Sequence, residues 1–337
     1  MTRLNEIGIM RFVLILSIVI GHTFAIYGIA AERSWTLPKN FENVESLWWI
    51  NPVFISFSLQ AFVFISGYLM RMQVSLAPID KHKFISKKIK RLFVPLIVFG
   101  LLYWLIIDRY MFSGIYDCIN YFLSGPGYLW FLAMLFLCFI AMIVNLGVEK
   151  IIRKFRLVKT LYCGVLLLIY FLSLFAPDDF RIAQLCQYYI FFVVGYWTYD
   201  YRNKLKAVTW PSILTFIFVT VILIGIKLYL FQNKPDHYYL LSHINKLFLG
   251  ISGSYLTLML CMKCPEGTYL SEIGAWNGYF GVYIFHQFIL RYIYYKTDWL
   301  IDVNKYIVGV VALTTTLLIS WLLSQIFLRF KFTRRLI

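Results

Sequence analysis

Charged residues are scarce in this chain. They make up 14% of its 337 residues, whereas soluble domains carry about one quarter, and this shortage excludes an ordinary soluble protein. Cysteine is also rare, with six residues, and only Cys261 and Cys264 lie close together in sequence. One short pair without a second pair or neighbouring histidines is a weak indication of a zinc or redox site, so we expect no metal.

Hydrophobic residues, by contrast, account for 61% of the chain. They recur in ten runs of about the 20 residues that a helix needs to cross a bilayer. The runs are centred near residues 8–29, 52–70, 90–107, 128–146, 160–176, 186–200, 211–230, 245–262, 277–295 and 305–328. We therefore predict an all-α, polytopic integral membrane protein with about ten transmembrane helices. Pro177 and polar residues separate the short fifth and sixth runs, so either could be tilted or re-entrant.

The distribution of basic residues predicts how these helices are oriented. Most of the 32 Lys and Arg residues fall in segments that face the cytoplasm if the N-terminus is inside, which by the positive-inside rule predicts two cytoplasmic termini. The net charge of +16 then faces anionic membrane lipids, and we expect no nucleic-acid partner. No internal repeat, low-complexity segment or signal-peptide cleavage site is visible, so we expect one transmembrane domain over residues 1–337.

The first apolar run contains two ionisable residues, Arg11 and His22. A charge in hydrocarbon costs several kcal/mol unless it is paired or faces a wet cavity, so the pair indicates a functional site. Eleven residues of α-helix turn through ~1100°, which places both side chains on one side, ~16 Å apart along the axis. Histidine suits proton transfer near neutral pH, and arginine can bind phosphate through two parallel hydrogen bonds.

Two further features could act with this pair. His286 lies in the ninth run, and the two histidines could face one cavity at similar depth; the alternative is a hydrogen-bonded packing residue. Lys88 and Arg91 lie three residues apart in the basic segment that opens the third run. On one α-helical face they could bind a single anion, although a positive-inside anchor would have the same pattern.

Other residues are candidates for acceptor binding or for lining a cavity. Ser66 lies in FVFISGYL, where small residues let helices or a ligand approach closely. Tyr128 and Trp130, in GPGYLWFL, fit an interfacial aromatic belt or a platform for a sugar ring or an acyl chain. His286 and Arg291 in the ninth run complete this candidate set.

The order of these motifs resembles the membrane acyltransferase 3 family. The resemblance covers the chain from about residue 6 to residue 291 and is carried by Arg11 with His22, FISGYL, the Lys88-x-x-Arg91 step, YLWFL and a late GVYIFH. Members of this family are ten-span proteins of the bacterial inner membrane. They move an acyl group, usually acetyl from cytosolic acetyl-CoA, to hydroxyls of glycans or lipid-linked sugars. The resemblance therefore implies a standalone O-acyltransferase with acyl-CoA as co-substrate and no bound cofactor.

The same resemblance implies roles for individual residues. His22 would be the catalytic imidazole, which either deprotonates the acceptor hydroxyl or carries the acyl group transiently. The donor, acyl-CoA, would be bound by Arg11, Lys88 and Arg91. The chain departs from the family pattern at Asn277, where a serine is common, and at Tyr128, where a histidine often stands.

Two other functional classes are compatible with ionisable residues inside a membrane. A transporter or flippase of a glycan or lipid-linked intermediate would line its substrate path with such residues, but the sequence has no visible inverted repeat. A purely structural membrane protein would leave Arg11 and His22 as an unexplained cost. We therefore expect an O-acyltransferase.

Overall fold

The computed structural model describes residues 4–27, 45–296, 304–331 and 333–337. All regular secondary structure within these ranges is helical. The α-helices, in chain order, are α1 (Asn5–Thr23), α2 (Ile50–Phe54), α3 (Ser58–Leu76), α4 (Lys81–Lys88), α5 (Val94–Tyr103), α6 (Ile115–Ser124), α7 (Trp130–Lys154), α8 (Arg156–Leu172), α9 (Ile182–Thr198), α10 (Arg202–Lys206), α11 (Trp210–Asn233), α12 (Tyr238–Met262), α13 (Tyr269–Gly274), α14 (Tyr279–Lys296) and α15 (Lys305–Arg329).

Seven helical segments of the described chain are long and apolar enough to cross a membrane. They are Asn5–Ile26, Ile50–Leu76, Lys81–Asp108, Gly127–Glu149, Trp210–Asn233, Tyr238–Met262 and Tyr306–Arg329. Leu157–Leu172 is a shorter apolar helix. The prediction of an all-helical, polytopic membrane protein is confirmed at this level, whereas the number of ten spans and the cytoplasmic termini stay predictions.

Helices dominate because hydrocarbon offers no partner for backbone N–H and C=O groups, which a helix satisfies internally. Local signals set several boundaries. The Asp80 carboxylate accepts a hydrogen bond from the Lys83 N–H at the start of α4, as an N-cap does. Pro211 lies in the first turn of α11, where a missing N–H costs nothing. Arg109 has a φ of 47° and ends the continuous helical segment that begins with α4.

The chain divides into two compact units. Unit 1 comprises Met1–Phe62 and Tyr201–Phe330, and unit 2 comprises Val63–Asp200 and Lys331–Ile337. The single-domain organisation expected from the sequence stays a prediction.

Helix α1 occupies the centre of unit 1, where it packs against α2, α12, α13, α14 and α15. Two helix pairs, α11 with α12 and α14 with α15, make extensive contacts. The N-terminal half of α1 approaches α13 so closely that a Cβ on Gly8 would overlap the backbone of Gly274. Buried Glu6 accepts a hydrogen bond from Arg202 Nε at 2.7 Å, and this ion pair fixes the start of α1 to α10.

In unit 2, α9 packs against α7 and α8 and also crosses α3 at a pair of glycines. A Cβ on Gly67 of α3 would overlap the carbonyl oxygen of Phe192, and a Cβ on Gly195 of α9 would overlap the carbonyl oxygen of Phe64. Small residues permit this close backbone approach, which drives packing between helices in membranes. Gly67 of FVFISGYL thus serves the contact between helices in unit 2.

We expect Gly67→Ala to destabilise unit 2, because its new methyl group meets backbone rather than a flexible side chain. Overpacking of this kind costs about 1–3 kcal/mol, and thermal unfolding of the purified protein in detergent should show a lower midpoint. Gly164→Ala in α8 is the matched control, since a Cβ there meets nothing within 4 Å. An unchanged midpoint in the Gly67→Ala protein would contradict the close approach of α3 and α9.

Candidate active site

Two histidines from different helices contact each other edge to edge in unit 1. His22 lies near the C-terminal end of α1, and His286 lies in α14. Their ring centroids are 5.2 Å apart with the planes inclined by 2°, and Nδ1 of His22 is 3.0 Å from Nε2 of His286. His286 is completely buried. The structure thus joins two residues that are 264 positions apart in the chain.

The hydrogen bonds of this pair indicate where its ring protons lie. His286 Nδ1 is 3.1 Å from the carbonyl oxygen of Val282, and because a carbonyl only accepts, Nδ1 carries the proton. In a neutral ring Nε2 of His286 then accepts, so His22 Nδ1 is the donor to it. The lone pair of His22 is therefore on Nε2. This is the tautomer in which His22 Nε2 can take a proton from a substrate.

Side chains from other segments hold the end of α1 that carries His22. The last carbonyl groups of a helix have no partner within the helix. Asn51 Nδ2 donates to the carbonyl of Gly21 at 2.7 Å, and the Tyr294 hydroxyl donates to the carbonyl of Thr23 at 2.8 Å. The residues on both sides of His22 are therefore anchored, which restricts the orientation of its ring.

Two arginines belong to the same unit. Arg291 follows His286 along α14. Arg11 is half-buried in α1, which runs as one continuous α-helix through both Arg11 and His22. The axial separation of ~16 Å expected from the sequence therefore applies to this pair.

An apolar cavity of about 450 Å³ lies among α1, the α13–α14 segment and α15. Val282 lines this cavity and also provides the carbonyl that fixes the His286 tautomer. The lining residues are Phe12, Ile15, Leu16, Ile273, Trp276, Tyr279, Val282, Leu317 and Trp321. The volume is in the range of small-molecule sites. On α1 the lining residues lie between the positions of Arg11 and His22.

The family of the chain can be decided by comparison. A family model described as an acyltransferase domain matches residues 4–325. The chain belongs to the acyltransferase 3 family. No curated protein and no solved structure matches it. The resemblance drawn from the motif order is confirmed, and the protein is a membrane acyltransferase in general terms.

In unit 2 of this acyltransferase, Lys88 is the last residue of α4 and Arg91 lies in the turn that follows it. Lys88 is half-buried, with its ammonium group 3.6 Å from the ring centroid of Phe139 and 5.0 Å from that of Phe84. Arg91 is exposed. The prediction of one shared face assumed an α-helical turn, whereas Ile89–Phe93 form a π-helical turn, which has more residues per turn. The two cations consequently differ in environment.

The remaining candidates of this acyltransferase also lie in unit 2. Ser66 is half-buried in α3. Tyr128 is buried, and its ring contacts that of Tyr103 edge-on. Trp130 is half-buried, with its ring centroid 5.8 Å from that of Tyr188. These contacts pack both aromatic side chains against other rings of unit 2.

The described part of the acyltransferase contains no group of three or more His, Cys, Asp or Glu side chains that could hold a metal ion. Cys261 and Cys264 are both free thiols, the first buried and the second half-buried.

The site of the acyltransferase includes groups that sequence reasoning missed. Asn51 and Tyr294 support the turn that carries His22, and the Val282 carbonyl sets the tautomer. Asn51 was detectable as a polar residue next to an apolar run, but its partner was not. A backbone carbonyl has no sequence signal at all.

Proposed function

We propose that this membrane acyltransferase moves an acyl group, with acetyl as the first choice, from acyl-CoA to a hydroxyl of a glycan or lipid-linked sugar. We also propose that it works in a bacterial inner membrane and needs no bound cofactor. The observation that supports this proposal best is the hydrogen-bonded series from the Val282 carbonyl through His286 to His22. It leaves His22 Nε2 as the proton acceptor.

The chemistry requires a base because a thioester is activated but a sugar hydroxyl is not. His22 Nε2 takes the hydroxyl proton while the hydroxyl oxygen attacks the thioester carbonyl. The new C–O bond gives a tetrahedral oxyanion, and its collapse breaks the C–S bond. The departing CoA thiolate receives the proton from His22, so the enzyme returns to its starting state. While His22 carries both protons, its Nδ1–H bond to His286 holds the ring in place.

The oxyanion needs a positive charge or hydrogen-bond donors. We assign this role to Arg291, which follows His286 along α14 and carries a permanent positive charge. Arg11 lies ~16 Å away along α1, which suits the phosphate or pantetheine end of the donor instead. The apolar cavity lies beside the part of α1 between Arg11 and His22, and it offers room for the uncharged part of the donor.

In unit 2 we assign Lys88 and Arg91 to the phosphates of CoA, because ammonium and guanidinium groups form strong charge-assisted hydrogen bonds with phosphate. Tyr128 and Trp130 are proposed as acceptor contacts, since aromatic rings suit the apolar face of a sugar. Ser66 is proposed as a lining residue. Each of these roles follows from residue chemistry.

The test is acyl transfer in membrane vesicles of the native host that contain the protein. Acetyl-CoA labelled in its acetyl group should pass label to the glycan or glycolipid fraction, and mild alkali should release that label because esters are alkali-labile. Equal amounts of unlabelled succinyl-CoA should compete weakly if acetyl is the true group. A transporter would form no ester, and that outcome would overturn the proposed function.

A further inference from the structure

A buried amide lies next to the histidine pair in unit 1. Gln287 follows His286 along α14, and only 4% of its surface is exposed. Within the part of the chain that the structure describes, its amide oxygen is enclosed and makes no hydrogen bond. Most buried polar groups in proteins are hydrogen-bonded, and one that is not destabilises the folded state. Packing alone therefore gives no reason for an amide at this position.

Contacts on either side of Gln287 show in which direction it projects. Its neighbour His286 has Nε2 3.0 Å from Nδ1 of His22. Further along α14, the Tyr294 hydroxyl donates to the carbonyl of Thr23 at 2.8 Å. Gln287 and Tyr294 are seven residues apart, which in an α-helix is ~700°, or ~20° short of two full turns. Gln287 therefore projects from the side of α14 that faces the end of α1 with His22.

The chemistry of an amide limits what it can bind at this place. Its oxygen accepts hydrogen bonds and its nitrogen donates two. The reacting thioester carbonyl and the oxyanion formed from it can only accept, and the hydroxyl that loses its proton to His22 is already engaged. A hydroxyl that stays intact both donates and accepts, so it can pair with either end of the Gln287 amide. The amide thus suits a second hydroxyl on the molecule that carries the reacting one.

We propose that Gln287 binds a second hydroxyl of the acyl acceptor, beside the hydroxyl that His22 deprotonates. The acceptor is then a polyol with two hydroxyls close together, as on neighbouring carbons of a sugar ring, and the amide fixes which of the two is acylated. A site built to hydrogen-bond a hydroxyl discriminates strongly against a molecule that lacks it, because the buried amide loses its partner. The proposal rests on the proposed function in naming the ligand as the acceptor.

The test uses the purified full-length protein with, as acceptor, the solubilised glycan and glycolipid fraction of a native-host strain that lacks this protein. Gln287→Met keeps the length of the side chain and removes its polar atoms. It should raise KM for the acceptor fraction about tenfold, with kcat and KM for acetyl-CoA near the wild-type values. Tyr292→Phe is the matched control, since it removes a hydroxyl from an exposed residue of the same helix and should change nothing.

The position of the acyl group in the product is the second readout. NMR should show acetyl at one position of the acceptor with the wild type and at two or more with Gln287→Met, because the second hydroxyl no longer holds the acceptor in one orientation. A residue that only fills the core would change neither this position nor the KM for the acceptor. Both unchanged in Gln287→Met overturns the proposal. So does a rise in KM for acetyl-CoA alone, because the amide would then serve the donor.

Thermal unfolding without ligand separates binding from folding. Gln287→Met should unfold at the wild-type midpoint or above it, since the amide oxygen that it removes has no hydrogen bond among the described residues. A lower midpoint, with kcat and both KM values impaired together, would mean that the amide supports the fold and would overturn the proposal.

Binding of the acceptor is also measured without acyl transfer, by thermal shift of the His22→Ala protein in the absence of acyl-CoA. The acceptor fraction should raise the unfolding midpoint of His22→Ala, and Gln287→Met in the same protein should abolish most of that rise. This result would support the amide site even if no ester formed, so failed transfer alone overturns only the proposed function. An equal rise with and without Gln287→Met, or no rise in either, overturns the amide site and leaves the proposed function to the transfer assay.

Discussion

His22→Ala should lower kcat for acyl transfer by about 10²–10⁴-fold, the usual contribution of a positioned general base. The reason is that His22 Nε2 is the nitrogen left with a lone pair by the series of hydrogen bonds through His286 and Val282. The KM for acyl-CoA should change little, since binding of the donor is assigned to other residues. The measurement is the initial rate of CoA thiol release in the presence of acceptor, at several acyl-CoA concentrations.

Ser17→Ala is the matched control for the loss of His22. Ser17 is a polar residue of the same helix, and its hydroxyl donates to the carbonyl of Val13 within α1. This variant should turn over at the wild-type rate, and both proteins should give the same monodisperse profile on gel filtration. Full activity in a well-folded His22→Ala protein would remove His22 from the chemistry.

The helices could be predicted from the sequence because uninterrupted apolar runs of membrane length leave the chain no other way to satisfy its backbone. Details inside those runs could not. The π-helical turns at Ile89–Phe93 and Trp104–Asp108 interrupt the periodicity of segments that are apolar on most sides, so no pattern in the sequence reports them. Consequently the relative orientation of Lys88 and Arg91 could not be derived from their spacing.

The candidate site could be predicted in part. His22 and Arg11 stand out because ionisable residues are costly in an apolar run, and that argument needs no tertiary structure. The contact of His22 with His286 depends on how α1 packs against α14. A single sequence does not show which residues of two packed helices lie side by side.

The histidine pair and two kinds of basic residue belong to unit 1. Arg291 follows His286 along α14, whereas Lys227 is connected to the turn that carries His22 only through α2. A charge beside the reacting atoms stabilises the transition state, and a charge one short helix away can only bind and orient a substrate. Replacing Arg291 should therefore lower kcat for acyl transfer.

His286 should act as a positioning residue, and its replacement by Leu should lower kcat by about 10²-fold. Nε2 of His286 accepts from His22 Nδ1, so its loss removes the hydrogen bond that keeps the proton on Nδ1. His22 can then carry its proton on Nε2. In that tautomer Nε2 has no lone pair to accept the proton of the substrate hydroxyl. An orienting partner of a catalytic histidine contributes in this way without touching the substrate.

Glutamine is the informative second substitution, because its amide oxygen can reach about where Nε2 of histidine lies and can accept from His22 Nδ1. His286→Gln should therefore recover most of the activity that His286→Leu loses, with KM values near those of the wild type in both. ¹⁵N NMR of labelled histidine should show the His22 proton on Nδ1 in the wild type and in His286→Gln, and a shift toward Nε2 in His286→Leu. Equal losses in the Leu and Gln proteins, with an unchanged His22 tautomer, would mean that His286 only fills space in the core. A difference in rate that follows the tautomer would tie the activity to the hydrogen bond between the two rings.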